Sequence, residues 1–158
     1  MQFSDPLDPM ANPVCDVRLT EAKLQAPPYR ADVAAGGIVE FKGVVRILEG
    51  DRAIEGIDYE ANRPMAEHQL RLIAEEAAQQ FGLKSVTIHH RLGFVPAGEV
   101  SLFLQAAAPH RVAAFAASQW MVDELKKRIP IWKRPRFAGE IRQRKDSPEG
   151  QSEPILQR

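Results

Sequence analysis

The chain has 158 residues, 44% hydrophobic and 27% charged, the composition of a folded protein with room for one domain and a real core. Lys and Arg together number 21, as do Asp and Glu. No global field therefore draws the molecule onto nucleic acid or an acidic membrane, and any anion site must be local. Cys15 is the single cysteine, which excludes an internal disulfide framework, a CxxC pair and a multi-cysteine zinc site. The opening MQFSDPLDPMANP carries no basic segment followed by an apolar one, and no run of 18 apolar residues occurs. The expected location is the cytoplasm.

In chain order, residues 1–13 and 138–158 read as mobile tails around one domain at 14–137. Val14–Leu19 alternates as a short strand. Thr20 is placed to cap a brief helix ended by Pro27 and Pro28, and a second short helix is expected over Tyr29–Ala35. Ile38–Arg46 alternates, with Val39, Phe41 and Val45 on one face and Glu40, Lys42 and Arg46 on the other. Its expected hairpin partner is Ile57–Glu60, reached through the turn at Glu49-Gly50-Asp51.

Asn62 should cap a helix whose inner face carries Met65, Leu70, Ile73, Ala77 and Phe81, with Gly82 ending it. Strands follow at Val86–Phe94 and Val100–Ala106, linked by the turn Pro96-Ala97-Gly98. Pro109 opens a last helix running to about Arg128, beyond which Pro130 forces extended chain. The order of strands, helix, strands, helix predicts an α+β fold with a largely antiparallel sheet covered by helices.

Three groups of residues suit chemistry. His110 and Arg111 stand in the first turn of the last helix, where unpaired N–H groups and the helix dipole already favour an anion. Solvated surface side chains would look the same in sequence. The run from Lys126 to Arg136 concentrates cations around Trp132. Lys126–Arg128 suit a helix C-terminus, but Lys133 and Arg134 lie beyond it, between Trp132 and Phe137. Cations beside aromatic rings fit a planar anionic ligand, and equally single-stranded nucleic acid. Arg46 ends its strand just before a turn, where a side chain can enter a site at a sheet edge. His90, on the apolar face of its strand, reads as a core histidine, and His89 as its opposite-face neighbour. No histidine pair has helical metal-ligand spacing, so no metal site is expected.

Four segments together resemble the large, catalytic subunit family of molybdopterin synthase. They are Gly37-Ile-Val-Glu-Phe-Lys-Gly-Val-Val-Arg46, Ile57-Asp-Tyr-Glu-Ala61 with Met65-Ala66, Pro109-His-Arg-Val-Ala-Ala-Phe115, and Asp123-Glu-Leu-Lys-Lys-Arg-Ile-Pro-Ile-Trp-Lys133. His90-Arg91-Leu-Gly93 with Pro96 and Gly98-Glu99 resembles the family's hairpin. The resemblance implies an α/β hammerhead-type fold and a central dimer of catalytic subunits. It also implies a small ubiquitin-like sulfur-carrier subunit at each end, giving a heterotetramer. The carrier's C-terminal Gly-Gly bears a thiocarboxylate, and its tail threads into the catalytic pocket.

The implied substrate is cyclic pyranopterin monophosphate, whose two sulfur transfers yield the molybdopterin dithiolene of the molybdenum cofactor. No metal, redox cofactor, nucleic acid or membrane is implied. The resemblance carries the substrate pocket to Val44, Val45, Arg46, His110, Arg111, Lys126, Lys133 and Arg134. Within it Lys126 and Lys133 are the implied catalytic residues. Lys126 is the key amine, a proton acceptor or nucleophile toward the carrier's acyl group, while the other cations hold phosphate and developing negative charge. Two rival readings stand beside it. One is a non-enzymatic anion or RNA-binding module built on the Lys126–Arg136 run. The other is a carrier-binding paralogue without sulfur transfer, since Ile47, Leu48 and Pro135 depart from the family pattern.

Overall fold

A computed structural model describes residues 12–27, 32–139 and 153–154. Among the described residues, two sheets and two helices make the fold. β1 (Val14–Thr20), β2 (Gly37–Val44), β5 (Ser85–Arg91) and β7 (Val100–Ala108) form one sheet, in the order β1-β5-β7-β2. β3 (Leu48–Glu49), β4 (Arg52–Ala61), β8 (Ile131–Phe137) and β9 (Glu153–Pro154) form the second, and β6 (Gly93–Pro96) also pairs with β4. Among the described residues only β1 and β5 pair in parallel; the remaining ladders are antiparallel, as the α+β reading expects.

Helix α1 (Arg63–Phe81) starts and stops on the residues that its chemistry names. The Asn62 side chain accepts from the Met65 backbone N–H at 3.2 Å, and Gly82 closes the helix at φ 63°. An αL residue there costs glycine nothing and lets its N–H reach the Ala78 carbonyl. Leu70, Ile73 and Ala77 are buried as the periodicity predicts, together with Ala66, Ala74 and Ala78. Met65 is not: it is 58% exposed, and Ala66 takes the inward position. The first inward position lies one residue later because Met65 sits in the opening turn. Helix α2 (Arg111–Arg128) packs beside α1 and over β2 and β7, burying Ala114, Ala117, Met121 and Leu125. Small residues on the buried faces of both helices let them approach the sheet closely.

Several expectations change in three dimensions. Residues 21–27 are not helical; the Thr20 hydroxyl accepts from the Ala22 N–H at 3.1 Å, a local turn that competes with helix initiation. The expected helix over 29–35 lies partly outside the described residues, and its described end is a turn held by Asp32, which accepts from the Ala34 and Ala35 N–H groups. The Gly50-Asp51 turn is a hairpin, but it joins β4 to the short β3. β2 pairs instead with β7 along its whole length, with a bulge at Gly43/Val44 near the end of that ladder. The expected strand Val86–Phe94 is two strands. Gly93, at φ 79°, breaks it and inverts the alternation, so that Val95 rather than Phe94 is fully buried and β6 joins the other sheet. β5 lies inside its sheet with both faces covered, which buries Thr87 and His89 as well as Val86 and Ile88.

Candidate functional site

A cavity of about 330 Å³ opens where the two sheets meet the C-terminal end of α2. β2 supplies Phe41 and Gly43, the chain just after it Arg46, β4 Tyr59, β5 His90, and β7 Ser101 and Leu102. Val122, Leu125 and Lys126 come from α2, and Ile129, Ile131 and Lys133 from the segment beyond. The bulge at Gly43/Val44 shapes this corner. Val45 turns inward to 2% exposure and is clamped to the 96–99 turn, donating to the Glu99 carbonyl at 3.0 Å and accepting from the Gly98 N–H at 2.7 Å. The next residue, Arg46, is thereby brought to the cavity. Arg91 holds the same turn through its ion pair with Glu99 at 2.5 Å.

Of the residues that the sequence nominates, Arg46, Lys126 and Lys133 line this cavity together. Neither Val45, which is buried, nor Val44, which is 49% exposed on the bulge, lines it. Arg134 points the other way, as strand alternation demands after Lys133, and lies 3.9 Å from Glu60. His110 and Arg111 do not reach the cavity either. They sit at the opposite end of α2, and fifteen residues of helix separate Arg111 from Lys126 by roughly 22 Å. That end packs against the start of β2. A Cβ on Gly37 would stand 2.9 Å from the Arg111 Cα, so glycine there permits the close approach. His110 is the N-cap residue but makes no side-chain cap bond, which leaves the first N–H groups of α2 without that partner.

The basic run beyond Leu125 is largely neutralised. Arg128 forms a fork with Glu76 at 2.7 and 3.0 Å, Lys127 lies 3.5 Å from Glu124, and Arg136 grips Asp58 at 2.5 and 2.8 Å while stacking over Phe94. Hydrogen bonds from Arg128 hold the Glu76 carboxyl below its usual range. Lys133 is 3.7 Å from Glu49, both mostly shielded from solvent. Lys126 and Arg46 have no carboxylate partner among the described residues, so uncompensated positive charge concentrates at the cavity rather than along the run.

Sequence reasoning missed the polar floor of this cavity. Tyr59, Ser101 and His90 line it. Burial raises the Tyr59 phenol's pKa, with the Glu49 charge adding to the effect and a hydrogen bond with Ser101 opposing it. His90 is a core histidine, as read, and also a cavity residue. His89 on the other face is buried, its Nε2 2.9 Å from Asp16 on β1. Although burial works against it, hydrogen bonds from His89 and Arg18 hold the Asp16 carboxyl below its ordinary range. The alternation of β5 was legible; only the pairing of β5 with β7 and β1 shows which groups each histidine meets. Burial pushes the Cys15 thiol's pKa up, so it is no ready nucleophile. Among the described residues no three His, Cys, Asp or Glu side chains gather as a metal site, and no helix is long and apolar enough to cross a membrane.

Comparison with known proteins bears on what such a cavity serves. A protein from Oryza sativa subsp. indica named "Molybdopterin synthase catalytic subunit" is 44% identical over 104 residues, covering 65% of this chain and 53% of the relative. One of the same name from Pyrococcus abyssi is 42% identical over 101 residues, covering 64% and 68%. The chain thus spans about half the length of the plant relative. The crystal structure of molybdopterin synthase from Staphylococcus aureus superposes with a TM-score of 0.72 at 28% identity, over 77% of this chain and 91% of that one. Residues 16–128 match the family model described as "MoaE protein", a span that holds Arg46, the 96–99 turn and the whole of α2. This chain belongs to the MoaE protein family.

Proposed function

We propose that the chain is the catalytic subunit of a molybdopterin synthase, acting in the cytoplasm, with residues 14–137 as the working domain. In this reading it transfers sulfur from a thiocarboxylated carrier subunit to cyclic pyranopterin monophosphate. The observation that carries the reading is the cavity in which Arg46, Lys126 and Lys133 converge on apolar walls, since that combination suits a flat ring bearing a phosphate. The apolar side chains take the ring. The cations take the phosphate, each charge-assisted contact contributing about 1.5–3 kcal/mol.

Lys126, exposed at the cavity rim and free of a carboxylate, is positioned to accept a proton or attack the carrier's acyl carbon. Lys133, tethered by Glu49, is placed to offset negative charge as sulfur leaves the carrier. The lack of a nucleophilic cysteine at the cavity fits a reaction in which the partner brings the sulfur.

His110 and Arg111 then need an explanation, because α2 is too long for both of its ends to serve one cavity in one chain. A two-fold dimer supplies it: the partner's α2 N-terminus completes the site. Edge strand β2 and the adjoining face of α2 favour such a dimer, with Phe41 and Phe115 lining one exposed groove and Val112 74% exposed nearby. Two catalytic subunits with two carriers make the heterotetramer. The partly compensated basic run disfavours an RNA-binding module, which needs free cations along its length. Mixing the protein with thiocarboxylated carrier and the pterin precursor tests the proposal. Dithiolene product is expected; salt-sensitive RNA binding with no pterin binding would replace the enzyme with the module.

A further inference from the structure

His90 lies on β5 in alternation with Val86 and Ile88, on the side of the sheet that faces the core, and is 6% exposed. Its Nδ1 is 2.8 Å from the backbone oxygen of Arg91. A carbonyl oxygen can only accept, so Nδ1 carries the proton and donates. Burial lowers the imidazole's pKa to about 4, against the pull of that carbonyl, so the ring holds one proton at neutral pH. The other nitrogen, Nε2, is therefore a bare acceptor. Tyr59 packs edge-on against the ring, 5.2 Å between centroids and 74° between planes, and fixes its orientation.

The remaining polar side chains that line the cavity differ from this nitrogen in that each carries donors of its own. Arg46, Lys126 and Lys133 have donors and no acceptor. The Tyr59 hydroxyl bonds with Ser101 and the Ser101 hydroxyl donates to the Gly43 carbonyl at 3.3 Å, so both oxygens that could still accept belong to groups already tied to each other and to the backbone. A ligand whose anionic group is held by the cations therefore meets, at the floor, a neutral acceptor fixed in position.

We propose that His90 is a specificity residue, whose Nε2 accepts a hydrogen bond from a ring N–H or amino group of the heterocycle bound in the cavity. The assignment rests on the pterin reading above and adds to it the edge of the ring that is read. A buried acceptor that finds its donor is satisfied, whereas an isosteric ring without the donor leaves it stranded, and the site discriminates against that ring. His90 acts here as a fixed acceptor and is not a proton shuttle.

Calorimetric titration of the parent, His90→Met and His90→Gln, each with the pterin precursor and with inorganic phosphate, tests this. Met fills the space without an acceptor nitrogen; Gln can present its amide oxygen near the Nε2 position. Expected is a loss of about three- to tenfold for the precursor in His90→Met, recovery in His90→Gln, and the same phosphate affinity in all three. Nitrogen-15 spectra of the parent, which need no variant to fold, should show His90 protonated at Nδ1 and an Nε2 resonance that moves when precursor is added. Unchanged precursor affinity in His90→Met, losses for both ligands alike, or a proton on Nε2 would overturn the assignment alone. Failure of the parent to bind precursor would overturn the functional reading and the assignment with it.

Discussion

The two ends of α2 carry the same kind of side chain in very different settings. At its C-terminal end Lys126 opens onto a cavity with Arg46 and Lys133, and the neighbouring Lys127 and Arg128 are drawn off by Glu124 and Glu76. At its N-terminal end His110 and Arg111 are exposed, with no acidic residue in the first turn and no cap from the His110 side chain. The first arrangement complements the helix dipole; the second opposes it until an anion arrives. One end lines a formed pocket and the other stands roughly 22 Å away from it, a separation that the proposed dimer would resolve by placing one subunit's N-terminal end at the other's pocket.

The largest effect expected from this contrast is at Lys126. Lys126→Ala should lower sulfur transfer by about 10²–10⁴-fold, the usual range for loss of a proton-transfer group. Circular dichroism should not change, since the side chain is exposed. Turnover at the parent rate would remove Lys126 from the chemistry. Next comes the far end: Arg111→Ala should weaken binding of the pterin precursor by roughly ten- to a hundredfold in calorimetry. An unchanged affinity would leave the N-terminal end outside the site and break the link between the two ends.

A smaller effect concerns the floor of the cavity. His90 is neutral in the fold down to about pH 4 but takes a proton near pH 6.5 when unfolded. Its contribution to stability is therefore complete above pH 6.5 and is lost as pH falls toward 4. Urea unfolding at pH 7.5 and pH 5.0 should differ by roughly 2 kcal/mol from this group, and His90→Met should lack that difference. Equal pH dependence in parent and variant would show that the ring is not held neutral. The smallest effect is at Lys127, one residue from the proposed catalytic amine. Its exposed pair with Glu124 at 3.5 Å is worth less than about 1 kcal/mol, and Lys127→Ala should leave activity at the parent level. A large loss of activity would mean that the whole cationic turn acts together.

Much of this was legible in the residues and some was not, for physical reasons. Asn62 and Gly82 announce the limits of α1 because capping is local chemistry, read within a few positions. Arg46 and Lys126 could be nominated from their places at element ends and Lys133 from its place between Trp132 and Phe137, and the cavity gathers them. Strand partners were harder. Alternation in β2 says which residues share a face but not which strand lies alongside, and the Gly50-Asp51 hairpin, correctly placed, serves β3 instead. Gly93 looks like any glycine in a strand pattern; its positive φ, which sends β6 to the other sheet, comes from tertiary pairing. The compensation of Arg128 by Glu76 and of Arg136 by Asp58 spans 52 and 78 positions, so no window on the sequence shows that the basic run is largely neutral. His90 was read as core, which is true, but its second role depends on a cavity that exists only when both sheets are assembled.

The two ends of α2 can be joined in a single measurement. Lys126→Ala and Arg111→Ala chains, co-expressed so that mixed dimers form, would be assayed for dithiolene product with thiocarboxylated carrier and the pterin precursor. A mixed dimer holds one site with both defects and one with neither, so the account predicts that a substantial share of activity returns from two variants that are each impaired alone. A mixture no more active than its components, with mixed dimers confirmed by native mass spectrometry, would contradict it.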